Sequence, residues 1–167
     1  MHVFAALGLL VLALSAANTM PFVLPLVYLA VVTPWLWSID VREHRLPNWL
    51  VFPGYLVCAA AGALAVVIGT GIPTAALLSA ATYLGGTLVL ACVGGMGLGD
   101  VKLAGVLGFA AGALSPTAAI VSPLAAFAIG GVAATIALLR SGPKTRIAFG
   151  PYLLLGFWIA VLANRLG

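Results

Sequence analysis

The sequence predicts an all-α fold, a polytopic membrane bundle of six to seven transmembrane helices, from three observations. The chain has 167 residues, of which 64% are hydrophobic and only 6% are charged, whereas a soluble domain carries about 25% charged residues. The charged residues form a few short groups separated by long apolar runs. Turn-forming residues interrupt the longest of these runs. So little charge cannot cover a surface in water, and most of the chain is expected to face lipid.

The apolar runs determine the number of crossings. The charge-free runs are 1–39, 46–99, 103–139 and 147–164. A spanning helix needs about 20 residues, so the first three runs hold two crossings each and the last holds one. Turns near Pro21, Pro73 and Pro116 divide the long runs. The predicted helices are 2–17, 21–39, 49–68, 74–93, 101–114, 118–139 and 149–164. The helix at 101–114 is short for a full crossing.

The distribution of charge predicts the topology. The charged groups at 40–45, 100–102 and 140–146 are separated by even numbers of crossings, so they are expected on one face of the membrane. That face carries nearly all the basic residues, which makes it cytoplasmic by the positive-inside rule. The apolar N-terminus has no Lys or Arg before it, so we interpret it as a retained first helix rather than a signal peptide. No basic stripe with interleaved aromatic residues occurs, which excludes nucleic-acid binding.

The chain has three acidic residues, Asp40, Glu43 and Asp100. An aspartate at membrane depth costs about 2.5–3.5 kcal/mol on insertion scales, so it is seldom kept without a use. A cap or a topology marker in water is the alternative for an aspartate at a helix boundary. The glycine-rich sequence GGMGLGD at 94–100 favours a site, because glycine removes side-chain bulk and lets a peptide backbone approach the carboxylate.

Three motifs resemble those of the type IV prepilin peptidases. The first is D-x-R-x-x-R-L-P-N-W-L from Asp40, the second is G-x-G-D-x-K-L around Asp100, and the third is F-G-P at 149–151. They define a motif core at 38–152 within a single predicted domain, 1–167. The paired C-x-x-C motifs of bifunctional members are missing. The resemblance therefore implies a short, peptidase-only form without the N-methyltransferase segment, of the kind that accompanies Flp-type pili.

The resemblance implies an aspartic endopeptidase with Asp40 and Asp100 as its catalytic carboxylates and no metal or cofactor. The implied substrates are prepilins or pseudopilins, which carry a basic leader, a glycine before the cut and then a hydrophobic helix in the bilayer. The other motif residues are expected to contact substrate: Pro47, Asn48, Gly97, Gly99, Lys102, Phe149, Gly150 and Pro151. Two alternatives concern single features. The segment 149–151 is also a possible helix start, and Lys102 is expected to snorkel rather than pair with Asp100.

Two other functions and one proton assignment complete the predictions. A presenilin-like intramembrane protease is the first alternative, although Ile39 stands where those enzymes place Tyr and their Pro-Ala-Leu motif is absent. A small transporter with paired aspartates is the second, although it favours inverted repeats and we find none. For the peptidase, the helix dipoles predict that Asp40 holds a shared proton and Asp100 acts as the base.

Overall fold

The computed structural model describes residues 2–16, 20–93, 96–141 and 148–166. Within these ranges helix is the only regular secondary structure, and the chain forms seven helices together with short non-helical segments. They are α1 (His2–Ala16), α2 (Met20–Glu43), α3 (Asn48–Val67), α4 (Thr74–Cys92), α5 (Leu98–Leu114), α6 (Pro116–Ser141) and α7 (Gly150–Leu166). The predicted all-α fold is confirmed, and each predicted helix has a counterpart. The largest differences are at the end of α2, which continues about one turn further, and at the start of α5, which begins earlier.

The helices have the length and composition of membrane spans. Four of them, α2, α3, α4 and α6, are long and apolar enough to cross a bilayer, and α1 and α7 are shorter apolar helices. Large apolar side chains cover much of their outer surface, as expected when lipid is the solvent. The chain is therefore a membrane protein.

Helix α5 lies at the centre of the bundle. It contacts α2, α3, α4, α6 and α7, and most of its side chains are buried. Helix α4 approaches it closely because glycines face the contact: a Cβ on Gly108 would lie 2.8 Å from the Ser79 carbonyl oxygen, and one on Gly112 would lie 2.7 Å from that of Ala75. Small residues at such contacts give membrane helices their packing. Most of α5 is therefore surrounded by protein, although Leu98 in its first turn is exposed.

Hydroxyl groups join neighbouring helices through hydrogen bonds. Pro123 in α6 has no N–H for the carbonyl of Ala119, one turn earlier. The Tyr83 hydroxyl of α4 donates to that carbonyl at 2.7 Å and so replaces the missing donor. In the same way, the Trp158 indole of α7 donates to the Thr33 hydroxyl of α2 at 3.0 Å. These bonds satisfy polar groups for which lipid offers no partner.

Three helix ends meet at one end of the bundle: the last turn of α2, the first turn of α5 and the first turn of α7. Gly150 at the start of α7 lies against side chains from both of the other two ends. The charged groups around residues 40 and 100 therefore lie at the same end of the bundle, as the even number of crossings between them predicts. Lys144 and Arg146, from the third group, lie outside the described residues.

Helix α5 is shorter than the bilayer core. Its 17 residues span about 25 Å at 1.5 Å per residue, whereas the hydrocarbon core of a bilayer is about 30 Å thick. The first turn of α5 nevertheless lies beside the last turn of α2, so α2 ends and α5 begins at the junction of the three helix ends.

Candidate active site

Two buried aspartates occupy this junction. Asp40 lies in the last turn of α2 and is 3% exposed, and Asp100 lies in the first turn of α5 and is 8% exposed. The prediction that Asp40 ends its helix is wrong by one turn, because α2 continues to Glu43. The residues of this extra turn, Val41, Arg42 and Glu43, are exposed, whereas Asp40 itself is buried. Two carboxyl groups withdrawn from solvent are uncommon unless they have partners.

Gly150 brings the two carboxyl groups together. Its backbone N–H donates to Oδ2 of Asp40 at 3.1 Å. A Cβ built on Gly150 would lie 2.6 Å from this oxygen and 3.3 Å from Oδ1 of Asp100. The two carboxylate oxygens are thus no farther apart than the sum of these distances. Like charges this close resist ionising together, so the pair is suited to holding one proton.

The Gly150 amide also bears on which aspartate holds that proton. A hydrogen bond from an N–H group stabilises the ionised form of a carboxylate, so this bond favours negative charge on Asp40. The N-terminal dipole of α5 favours negative charge on Asp100. The two effects oppose each other, so the assignment of the proton to Asp40 stays a prediction.

A polar cavity of about 270 Å³ opens beside the aspartates. Its lining residues are Asp40, His44, Arg45, Leu46, Asn48, Gly97, Leu98, Gly99, Asp100 and Lys102. Two larger cavities, of about 530 and 570 Å³, lie between apolar helix faces elsewhere. We place the chemistry in the smaller one because it alone of the three contains both carboxylates. Among the described residues, no group of three His, Cys, Asp or Glu side chains is arranged to hold a metal ion.

The segment between α2 and α3 forms one wall of this cavity. His44 has a φ of 51°, a left-handed conformation that reverses the chain after α2. The segment then lies directly on the start of α5, where a Cβ on Gly99 would be 3.1 Å from Cβ of Leu46. Neither His44 nor Leu46 is among the substrate contacts predicted from the sequence. No local signal predicts a positive φ at a histidine.

The predicted substrate contacts divide into two groups. Asn48, Gly97, Gly99 and Lys102 line the cavity, and Gly150 lies against both carboxyl groups.

Pro47, Phe149 and Pro151 are placed elsewhere. Pro47 is the N-cap of α3 and Pro151 lies in the first turn of α7, as the helix-start alternative predicts. The Phe149 ring packs 5.3 Å from Phe127 and 6.0 Å from Tyr152, between centroids. Phe149 and Pro151 thus lie on either side of Gly150 at the start of α7, and Pro47 lies at the start of α3.

The Lys102 side chain contacts α3. Its ammonium group donates to Oδ1 of Asn48 at 3.1 Å and lies 5.3 Å from the centroid of the Phe52 ring. This hydrogen bond lies at an exposed position and is made to α3 and not to Asp100, so snorkelling of Lys102 stays a prediction. Asn48 and Lys102, two of the eight residues expected to contact substrate, thus form a hydrogen bond with each other.

Comparison with known protein families identifies a family for most of this chain. The model of the type IV leader peptidase family matches residues 22–139, a range that includes both aspartates. No curated protein and no solved structure matched the chain. The matched range covers most of the sequence, from α2 to the end of α6. The chain belongs to the type IV leader peptidase family.

Proposed function

We propose that this protein is a membrane-embedded aspartic endopeptidase with Asp40 and Asp100 as its catalytic carboxylates. The observation that carries the proposal is the meeting of both buried carboxyl groups at Gly150, beside a polar cavity. Membership of a peptidase family supplies the class of reaction. An aspartate pair that shares one proton supplies both an acid and a base in one site.

Hydrolysis follows from this pair without a covalent intermediate. The ionised aspartate takes a proton from a water molecule, whose oxygen attacks the carbon of the scissile carbonyl. The protonated aspartate donates its proton to the carbonyl oxygen. When the tetrahedral intermediate collapses, the C–N bond breaks and a proton passes to the leaving amine. Burial strengthens these interactions, because few water molecules compete with them.

The proposed substrates are prepilins or pseudopilins of type IV or Flp-type systems. Such a substrate has a basic leader in the cytoplasm, a glycine before the cut and a hydrophobic helix in the bilayer. A site formed by three helix ends at one end of the bundle suits a bond between a soluble leader and a membrane helix.

Cleavage of a defined leader tests the function. The purified protein in nanodiscs should cut a synthetic prepilin once, directly after the leader glycine, as mapped by mass spectrometry. A substrate with alanine in place of this glycine should be cut more slowly, and one with a bulky valine there should resist cleavage. Cuts within the hydrophobic helix would instead indicate a presenilin-like protease. The absence of any cleavage, together with cation-dependent transport in vesicles, would indicate a transporter.

The proposed location is the plasma membrane, with the active site on the cytoplasmic face. The described basic residues at the site end of the bundle are Arg42, Arg45, Lys102 and Arg140, and only Arg165 is at the other end. This asymmetry is the positive-inside pattern. It implies a cytoplasmic N-terminus and, after seven crossings, a C-terminus outside.

Cysteine labelling in whole cells checks this orientation. In a background with both native cysteines replaced, His44→Cys and Leu98→Cys should resist a membrane-impermeant maleimide until the cells are opened. Thr70→Cys, in the exposed turn between α3 and α4, should react from outside. All three positions are exposed, so a lack of reaction reflects the face of the membrane rather than burial. Reaction of positions 44 and 98 in intact cells would place the site outside and reverse the proposal.

A further inference from the structure

One face of α3 engages residue 102 of α5 at three points. Asn48, Phe52 and Tyr55 follow the spacing i, i+4, i+7, which aligns them along one side of a helix. Asn48 accepts a hydrogen bond from the Lys102 ammonium group at 3.1 Å, and the Phe52 ring lies 5.3 Å from the same group. The Tyr55 hydroxyl donates to the backbone carbonyl of Lys102 at 2.7 Å. We call these four residues the α3–α5 clasp.

The clasp fits because α5 has a gap opposite Tyr55. The gap is Gly105, one turn beyond Lys102, and a Cβ at this position would collide with the Tyr55 hydroxyl oxygen. It would also lie 3.1 Å from Cζ of the same ring. A side chain on residue 105 would therefore push Tyr55 away from the Lys102 carbonyl. The absence of a side chain at Gly105 thus leaves the space that the Tyr55 hydroxyl occupies between α3 and α5.

The start of α5 needs support from outside its own turn. Gly97 caps the helix without a side-chain hydrogen bond, and Gly99 precedes Asp100 directly. Glycine leaves the backbone more conformational freedom than any other residue. The bond from the Asp100 amide to the Gly97 carbonyl, at 3.1 Å, is made to one of these glycines. The nearest fixed point on the C-terminal side is the backbone of Lys102, which Tyr55 holds.

We propose that Tyr55 is a positioning residue, which through the α3–α5 clasp sets the register of α5 and so holds Asp100 opposite Asp40. This inference rests on the proposed function, because it assigns the clasp to a catalytic pair. Tyr55 touches neither carboxylate nor the polar cavity, so it acts through the backbone of residue 102. The cationic side chain of Lys102 helps to fix the position of α5 against α3 through its contacts with Asn48 and Phe52, and it does not pair with an aspartate.

The first test compares two tyrosines of the same chemistry. Tyr55→Phe should lower kcat about ten- to a hundred-fold with KM nearly unchanged, because small misplacements of a catalytic group have costs of this order. Tyr83→Phe is the matched control, since its hydroxyl also donates to a helix carbonyl at 2.7 Å but joins α4 to α6. Tyr83→Phe should lower thermal stability, because a hydrogen bond is lost. Its kcat should stay within about twofold of the wild-type value, because that bond is remote from the reacting groups. Equal losses of kcat in the two variants at equal stability would overturn the proposal.

The second test uses the gap at Gly105. Gly105→Ala should reduce kcat as Tyr55→Phe does, because its methyl group displaces the hydroxyl. In the double variant that combines Tyr55→Phe with Gly105→Ala, the phenylalanine lacks the oxygen that collides with the new methyl group. Its kcat should therefore be no lower than that of Gly105→Ala alone. A double variant with the product of the two single losses would show that the residues act separately and would contradict the clasp.

A third measurement separates this proposal from the proposed function. Cysteines placed at positions 40 and 100, with Cys58 and Cys92 replaced, can be bridged by a short bifunctional thiol reagent without any substrate. The yield of bridged protein should fall on Tyr55→Phe and stay constant on Tyr83→Phe. If the wild-type protein cleaves no prepilin, the proposed function fails while this yield still decides the role of Tyr55. An unchanged yield with Tyr55→Phe overturns the positioning role whatever the substrate.

Discussion

Asp40→Asn and Asp100→Asn should each reduce the cleavage of a prepilin leader by at least about a thousandfold, as expected when one half of an acid–base pair is lost. Asparagine keeps the size and shape of the side chain but can neither take a proton from water nor donate one as an acid. In Asp40→Asn, the Gly150 amide can still donate to the oxygen of the new side chain, so the bundle should fold and insert normally. Initial rates in nanodiscs, beside yield and melting temperature, measure the effect.

Glu43→Gln is the matched control for these variants. Glu43 is in the same last turn of α2 as Asp40, carries the same charge and is exposed. Its loss should leave the rate within about twofold, because an exposed charge is screened by solvent. Cleavage by either Asn variant at a tenth or more of the wild-type rate would show that one carboxylate suffices and would exclude the two-aspartate mechanism.

Gly150→Ala should be nearly as damaging, although it adds only one methyl group. That methyl carbon would lie 2.6 Å from Oδ2 of Asp40 and 3.3 Å from Oδ1 of Asp100. The first distance is far inside van der Waals contact, so Asp40 or the start of α7 must move. A displacement near 1 Å costs about a hundredfold in rate, and we expect a loss of at least that size in kcat.

Gly131→Ala controls for the effect of an alanine in a helix of this bundle. Gly131 lies inside α6, and a Cβ at this position meets no atom within 4 Å. Its replacement should leave kcat unchanged and raise stability slightly, because alanine favours a helix over glycine by about 0.5–1 kcal/mol. If Gly150→Ala turned over substrate as fast as Gly131→Ala, the contact between α7 and the carboxyl groups would have no part in catalysis.

The sequence alone predicts much of the fold because lipid imposes a simple rule on composition. Every long apolar run must cross the bilayer as helices, and charges gather where the runs end, so seven helices and the grouping of Asp40 with Asp100 follow. The residues at which each helix begins and ends are less well determined by the sequence. The extra turn of α2 beyond Asp40 consists of the exposed residues 41–43, and the end of an apolar run marks where charges begin rather than where a helix ends.

The inner geometry of the site escapes such reasoning because it depends on contacts between residues distant in sequence. The Gly150 amide meets Asp40 across 110 positions, and the motif at 149–151 indicated only a helix start or a substrate contact. Lys102 and Asn48 were both expected to contact substrate, yet they bind each other across 54 positions. A sequence pattern shows which residues matter, whereas the packing of α3, α5 and α7 determines what each one touches.

The bond between Tyr83 and the carbonyl that Pro123 leaves free also constrains how this protein can change over evolution. Loss of the tyrosine hydroxyl first would leave that carbonyl without a partner, at a cost of about 1–3 kcal/mol. Loss of the proline first restores the donor within α6, after which the hydroxyl becomes dispensable. The two substitutions are therefore epistatic, and a lineage that discards this pair is expected to lose Pro123 before Tyr83.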